Sequence, residues 1–377
     1  MKNSEKTKIQ NEIVDQIDFT ESGRLLLAPR VGKSRIVIQV IKRDKPKSIL
    51  WVTPSAELAD EENYTDGIVS EFVKWKAKRY IKKLDTTTWS SLYKISGHYD
   101  LIVLDEEQHI TQNNAGNLLA GTLKGRILSM TGTPTRIKEK LLIYQKLKLS
   151  VIVDLNINKA VDKGILANYG LNVLEIPMSP EKRITAGTKK KPFKTTEASN
   201  YAYLTSVMKQ AMFQRRGDLK FRIINRRRAI LNSPSKEDAL KFLIKKLEGQ
   251  RTMVFSSSIK QCDSLFKHTY HSKTDNKDLL AFKKGEIDLL GLVNAGGTGH
   301  TYKEIDNLVV VQADSDKNGL TSQKVSRTLL QQPNYKATIW VLSLMGTQDE
   351  KWVDSFLKRF DRKKVNYIHF KNFENGN

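Results

Sequence analysis

The sequence predicts an α/β protein of two tandem domains, each a parallel β-sheet flanked by helices, with a cleft between them. Three observations predict it. At 377 residues the chain is long enough for roughly two domains, taking about 150 residues for each. It carries eight short, nearly continuous apolar runs rich in Val, Ile and Leu, the signature of strands buried on both faces. Each run alternates with a longer amphipathic segment, as in strands that cross over through helices.

In the first half the runs are RLLLA (24–28), SILWVT (48–53), LIVLD (101–105) and ILSMT (127–131). In the second they are TMVFSS (252–257), IDLLGLV (287–293), LVVVQA (308–313) and ATIWVLSL (337–344). Trp340 falls in the last of these and is expected in the core. DEKWVDSFLKRF (349–360) has the apolar spacing of a helix facing inward, anchored by Trp352. The expected domains are 1–155 and 236–377. A basic segment, 156–235, connects them.

That segment holds much of the charge. The chain carries 64 Lys+Arg against 41 Asp+Glu, a net charge of +23, which favours a polyanionic partner. Residues 189–228 hold 12 Lys+Arg and 2 Asp+Glu, so the excess is concentrated there. Arg226, Arg227 and Arg228 are adjacent and cannot share one helix face, which suits a general electrostatic grip on nucleic acid; a solvated face is the alternative. Tyr201, Tyr203 and Phe213 could stack on bases, but are expected to form the core of a small helical element.

Other classes fit poorly. No apolar run approaches the roughly 20 residues of a membrane helix, and the basic start has no apolar stretch behind it. The single cysteine, Cys262, is expected to be buried and fits a reducing compartment. The six histidines show no zinc spacing; His268 and His271 read as surface.

Two strand ends carry chemistry. In RLLLAPRVGKSRIVIQVIK (24–42) an apolar run stops at Pro29, turns through Gly32 and restarts as a helical pattern. Such a turn offers backbone N–H groups and a positive dipole end, so Arg30, Val31, Gly32, Lys33 and Ser34 form a phosphate cradle of the Walker A kind. Lys33 supplies a point charge for the β- and γ-phosphates, and Ser34 a hydroxyl ligand for Mg²⁺. Arg30 is either an extra phosphate contact or a solvated side chain. Leu27 and Ala28 stand where the loop's first glycine is usual, and an ordinary strand–turn–helix is the alternative. The second strand end is LIVLDEEQ (101–108), where three carboxylates follow an apolar run. Asp105 would hold the metal and Glu106 would act as general base toward water. The alternative is a solvated acidic turn.

With TGTP at 131–134 following at the next strand end, the chain resembles a superfamily 2 helicase. Within that superfamily it is similar to the phage and bacterial DExH-type DNA helicases of the UvsW and type III restriction-helicase groups. The resemblance runs from about Ile9 to about Trp352. It implies two RecA-like domains with ATP bound in the cleft, and ATP hydrolysis coupled to movement along nucleic acid. It places Gln10 near the adenine, and Thr53 and Pro54 beside the nucleic-acid backbone, with Thr88 near the strand path. Asp105, Glu106, Glu107 and Gln108 stand at the DExH tetrad. Gln108, Thr131 and Thr133 would couple the ATP site to the nucleic-acid site. In the second half, Ser256 and Ser257 match motif IV, and Gly297, Thr298 and Gly299 the turn that touches backbone and nucleotide. Gln323 and Arg327 match motif VI, with Arg327 as the arginine finger; Ser326 replaces its glycine and Leu330 its second arginine.

The missing second arginine and the missing first loop glycine point to a slow or partner-stimulated ATPase. The expected function is an ATP- and Mg²⁺-dependent DNA helicase or translocase acting on single strands or branched duplexes. An RNA helicase of the same core, or a nucleic-acid-binding accessory protein with lost turnover, are the alternatives. A monomer in the cytoplasm of a bacterium or phage-infected cell is expected, by analogy alone.

Overall fold

The computed structural model describes residues 3–18, 20–54, 59, 67–188, 190–293, 305–313, 321–322, 325 and 336–375. One compact unit runs Met1–Asn168, and a second is built from Tyr169–Asp316 and Lys336–Asn377.

In the first unit, strands β1 (Gly23–Leu27), β2 (Ser48–Thr53), β3 (Lys83–Thr88), β4 (Gly97–Asp105), β5 (Leu123–Thr131) and β6 (Ser150–Leu155) form one sheet. Its order is β3-β2-β4-β5-β1-β6, and every pair is parallel. The apolar runs become the four central strands: Leu25, Trp51, Val103 and Leu128 are fully buried. The edge strands carry the mixed sequences KLDTTT and SVIVDL, since an edge has one less neighbour to cover it. Because all strands run the same way, their carboxyl ends lie along one margin. There Thr53 pairs with Thr88, Val52 with Leu104, Asp105 with Met130, and Leu26 with Thr131. In open parallel sheets that margin is where ligands bind.

The second unit has a seven-stranded sheet of order β11-β12-β10-β13-β14-β7-β15. Its strands are β7 (Asn168–Ile176), β10 (Thr252–Phe255), β11 (Thr269–Tyr270), β12 (Leu289–Leu292), β13 (Asn307–Val310), β14 (Lys336–Leu344) and β15 (Val365–His369). The two remaining strands, β8 (Ile184–Thr188) and β9 (Lys191–Thr195), form a separate antiparallel hairpin. The basic stretch expected to connect the domains thus supplies β7, this hairpin and the helices Glu197–Phe213 and Leu219–Leu231. Cys262 is buried, and Trp340 is buried with its indole N–H donating to Asn307 Oδ1 at 3.2 Å. The helix Gln348–Leu357 buries Val353, Phe356 and Leu357, and Trp352 packs against the cluster that holds Trp340 and Leu342. His271 is not a surface residue. It sits at the end of β11, buried, with Nε2 2.8 Å from Asp263 Oδ1. Among the described residues no helix is long and apolar enough to cross a membrane.

One buried ion pair staples the second unit. Lys236 Nζ lies 2.7 Å from Asp349 Oδ2, with both side chains almost wholly enclosed. Gln312 bridges them, accepting from Lys236 at 3.1 Å and donating to Asp349 Oδ1 at 2.7 Å. Lys236→Met would leave the Asp349 charge buried without its cation and should cost about 3–5 kcal/mol in denaturant unfolding. Loss of the exposed Lys241–Glu237 pair should leave the unfolding midpoint nearly unchanged.

Candidate active site

The site grows from the turn after β1. Gly32 caps the helix Lys33–Asp44 with φ +94°, a left-handed conformation that favours glycine. A Cβ here would also stand 2.5 Å from Gln10 Nε2. Gln10 comes from the helix Asn3–Asp15, is 1% exposed, and donates to the Val31 carbonyl at 2.7 Å. Its Oε1 is buried and accepts no hydrogen bond among the described residues. Val31 is buried and Arg30, also left-handed at φ +69°, accepts from Lys6 Nζ through its carbonyl at 2.8 Å. Ser34 lies half-buried in the first turn of the helix. The glycine turn therefore presents a lysine and first-turn amides to the carboxyl margin of the sheet.

The three carboxylates after β4 have three different fates. Glu107 is fully buried and turns back into the core. Arg24 of β1 grips it with Nε at 3.0 Å from both carboxylate oxygens and Nη2 2.6 Å from Oε1. Ser129 of β5 donates to its other oxygen at 2.5 Å, and the Arg24 guanidinium lies 4.0 Å from the centre of the Tyr144 ring. Glu106 takes the left-handed region, φ +51°, and points to the glycine turn. Lys33 Nζ is 2.5 Å from its Oε1. Burial raises the Glu106 carboxyl, but Lys33 and the donated hydrogen bonds outweigh burial and hold it below its ordinary value. Asp105 is left: its Oδ1 is buried and takes no hydrogen bond among the described residues. Burial pushes its carboxyl up to about 7, Lys33 opposing and Glu106 adding to the rise.

A line of hydrogen bonds leaves Glu106. Gln108 Nε2 donates to Glu106 Oε2 at 2.9 Å; Thr131 Oγ1 donates to Gln108 Oε1 at 2.5 Å; the Thr133 amide donates to Thr131 Oγ1 at 3.0 Å. All three side chains are buried. Gly132, between the threonines, packs on the turn itself: a Cβ there would meet Pro29 at 2.9 Å. The expected Gln10, the cradle 30–34, Asp105, Glu106, Gln108, Thr131 and Thr133 are thus collected at one margin. Arg24 was not foreseen. Its one sequence signal was an arginine opening an apolar run in a chain with one carboxylate more than the expected chemistry uses.

Thr53 and Thr88 pair at the ends of β2 and β3, with Pro54 next in the chain. Thr53 is buried, its hydroxyl 3.4 Å from the Thr87 carbonyl, and Thr88 exchanges a hydrogen bond with Ser90 at 2.8 Å. In the second unit Ser256 is buried just after β10, and the Ser257 hydroxyl donates to Gln261 Oε1 at 2.7 Å. Arg227 and Arg228 are exposed. Arg226 is engaged inside its own helix pair, donating to Tyr201 OH at 2.5 Å and Thr205 Oγ1 at 3.0 Å. Gly297, Thr298, Gly299, Gln323, Ser326, Arg327 and Leu330 lie outside the described residues.

No protein-family model and no curated protein sequence matches the chain. Solved structures do. A DNA-bound ATP-dependent Type ISP restriction-modification enzyme, LlaBIII, matches 97% of the chain at 12% identity and TM-score 0.60. The chain spans only 31% of that enzyme's length. The helicase domain of Pyrococcus furiosus Hef matches over 93% of this chain and 97% of its own (13% identity, TM-score 0.51). S. cerevisiae Dbp5, bound to RNA and ADP BeF3, matches over 98% and 91% (12% identity, TM-score 0.56). The fold is therefore the tandem RecA-like architecture of helicases.

Two outcomes are expected from the carboxylate geometry. Arg24→Met strands Glu107 in the core and should destabilise by about 3–5 kcal/mol in denaturant unfolding, with Arg24→Lys recovering only part because it lacks the fork. For Asp105, the unfolded chain titrates near about 4 and the folded chain at about 7. The stability from the extra proton is complete below about pH 4 and lost as pH rises through about 7. Asp105→Asn should therefore raise the melting temperature of the nucleotide-free chain above pH 7, by an increment that vanishes toward pH 4. A constant increment across that range would contradict the assignment.

Proposed function

We propose that this chain is an ATP hydrolase that moves along or unwinds nucleic acid, with DNA as the favoured track. The observation that carries the proposal is Lys33 at 2.5 Å from Glu106, beside a buried Asp105 oxygen without a partner among the described residues. Glycine turn, lysine and adjacent carboxylates meet at the sheet margin where a triphosphate and its cation have matching chemistry.

The residues fit the implied groups. Asp105 Oδ1 is a buried carboxylate oxygen with no hydrogen-bond donor among the described residues, and the Ser34 hydroxyl stands at the head of the neighbouring helix. Mg²⁺ held by these two would neutralise charge on the phosphates. Lys33 would exchange the Glu106 carboxylate for phosphate oxygens, with the Arg30–Gly32 backbone around it. That exchange releases Glu106, still held by Gln108, to accept a proton from the attacking water. Gln10, fixed to the Val31 carbonyl, would offer its unpaired Oε1 to an exocyclic amine such as that of adenine. Arg327 would stabilise charge on the transferring phosphoryl group, Gln323 would stand with it, and Gly299 would approach the nucleotide. With leucine at position 330, turnover is slow or depends on a partner.

Gln108, Thr131 and Thr133 would transmit the state of Glu106 along β5. Thr53, Pro54 and Thr88 from the first unit, and Ser256, Ser257 and Thr298 from the second, would contact the nucleic-acid backbone, with Arg227 and Arg228 adding charge. Arg226 would act indirectly, by fixing the helix that carries them. Among the structures of similar fold one is bound to DNA and one to RNA, and the preference for DNA rests on the motif resemblance. A monomer in the bacterial or phage-infected cytoplasm is the setting we propose.

The test is ATP hydrolysis measured without polynucleotide and with single-stranded DNA, branched DNA and single-stranded RNA. DNA should stimulate most. Lys33→Ala should abolish turnover, while Glu106→Gln should bind ATP and lose about 10²–10⁴-fold in kcat. A wild-type chain that binds no ATP with any polynucleotide would overturn the reading.

A further inference from the structure

The helices Glu197–Phe213 and Leu219–Leu231 pack side by side in the second unit, joined by a five-residue turn. Few of their residues are buried: Tyr201 and Ile230, which join the core of the second unit, and Ala211 are among them. The aromatics expected inside do not all follow: Tyr203 and Phe213 are exposed, Phe213 at 90%. A two-helix hairpin has one inner face, and these residues fall outside it.

The far end of the hairpin gathers the rest. Met212 and Phe213 end the first helix, and Phe221 and Ile224 lie in the first turns of the second, three apart and on one face. Met212, Phe213 and Phe221 are each more than half exposed. Exposed apolar side chains gathered at one end of a hairpin offer a surface for a partner. Around it the charge is one-sided. Between residues 209 and 228 there are eight Lys or Arg, Lys209 included, and a single acid, Asp218. That acid is already spent: Arg216 holds it with Nε and Nη2 at 3.1 Å, and Arg222 Nε reaches it at 3.0 Å. The same clamps fix the turn, with the Arg216 amide bonded to the Ala211 carbonyl at 2.9 Å.

We infer that this tip is a second nucleic-acid contact, independent of ATP, in which Phe213 and Phe221 stack on unpaired or terminal bases while Arg215 and Lys220 meet the flanking phosphates. Flat aromatic rings set among cations match bases set among phosphates. A membrane surface fits less well. A helix lying in a bilayer needs an apolar stripe along its length, whereas Glu197–Phe213 interleaves Asn200, Ser206 and Gln210, and its apolar residues crowd at one end.

The inference deepens the nucleic-acid reading above but does not use the ATP site, so the two can fail separately. The full chain, without ATP, is titrated against labelled single strands, blunt duplexes and tailed duplexes over a series of salt concentrations. Phe213→Ala/Phe221→Ala should weaken binding to strands and tailed duplexes about tenfold or more, with the salt slope unchanged. Arg215→Ala/Lys220→Ala should lower the salt slope by about 0.7 for each single-strand phosphate left without its cation. Lys33→Ala should bind as wild type, and polynucleotide-free ATP hydrolysis should be unchanged in both hairpin variants. Binding that survives loss of both aromatics would overturn the inference. So would a hairpin that instead governs binding to anionic phosphatidylserine vesicles or to polyglutamate.

Discussion

Three carboxylates at the end of one buried strand are the constraint on which the first unit depends. Like charges at that density repel and resist burial, and each is relieved by a different device. Glu107 is turned inward onto a guanidinium from β1. Glu106 is turned outward, through a left-handed backbone, onto the ammonium of Lys33. Asp105 has no such partner at Oδ1 among the described residues, and burial favours its neutral form. The sheet order makes this feasible: β5 lies between β1 and β4, so the glycine turn and the acidic strand end flank the same strand. Arg24 and Lys33, both supplied by the β1 side, then hold two of the three charges.

That arrangement also explains why the next strand end is sensitive to the site. Gly132 packs against Pro29 of the turn, Thr131 against Gln108, and Gln108 against Glu106. Lys33 cannot leave Glu106 for a phosphate without altering the charge that Gln108 feels. Displacement of one ion pair at the β1 end thus has a route to the β5 end through two side-chain hydrogen bonds, Glu106 to Gln108 and Gln108 to Thr131, and the Thr133 amide. The threonines at the ends of β2 and β3 lie on the same margin, on the far side of β4, so they share a rigid frame with the acidic strand end.

Central strands were legible because burial on both faces writes itself as unbroken Val, Ile and Leu. The edges were not: KLDTTT of β3 and VNYIH of β15 are polar enough to pass as loop, and their strand character comes from a neighbour's backbone. Lys33, Asp105 and Glu106 were legible because local turn chemistry and strand ends announce them. Arg24 was not, since its partner lies 83 positions away and nothing local marks an arginine destined for the core. His271 has its partner, Asp263, only eight positions away, but it is the fold that brings the two side chains together and buries the imidazole. Tyr203 and Phe213 were assigned to a core that two helices alone are too few to build. Arg226 does not stand with Arg227 and Arg228: its spacing puts it on a different face, the one that meets Tyr201.

The decisive measurement is a crystal structure of the chain with a non-hydrolysable ATP analogue and Mn²⁺, using the metal's anomalous signal. The signal should fall beside Asp105 and the Ser34 hydroxyl, with Lys33 drawn off Glu106 and onto the phosphates. Phosphates bound elsewhere, with Lys33 still seated on Glu106 and no metal at Asp105, would contradict the assignment of this strand end as a triphosphate site.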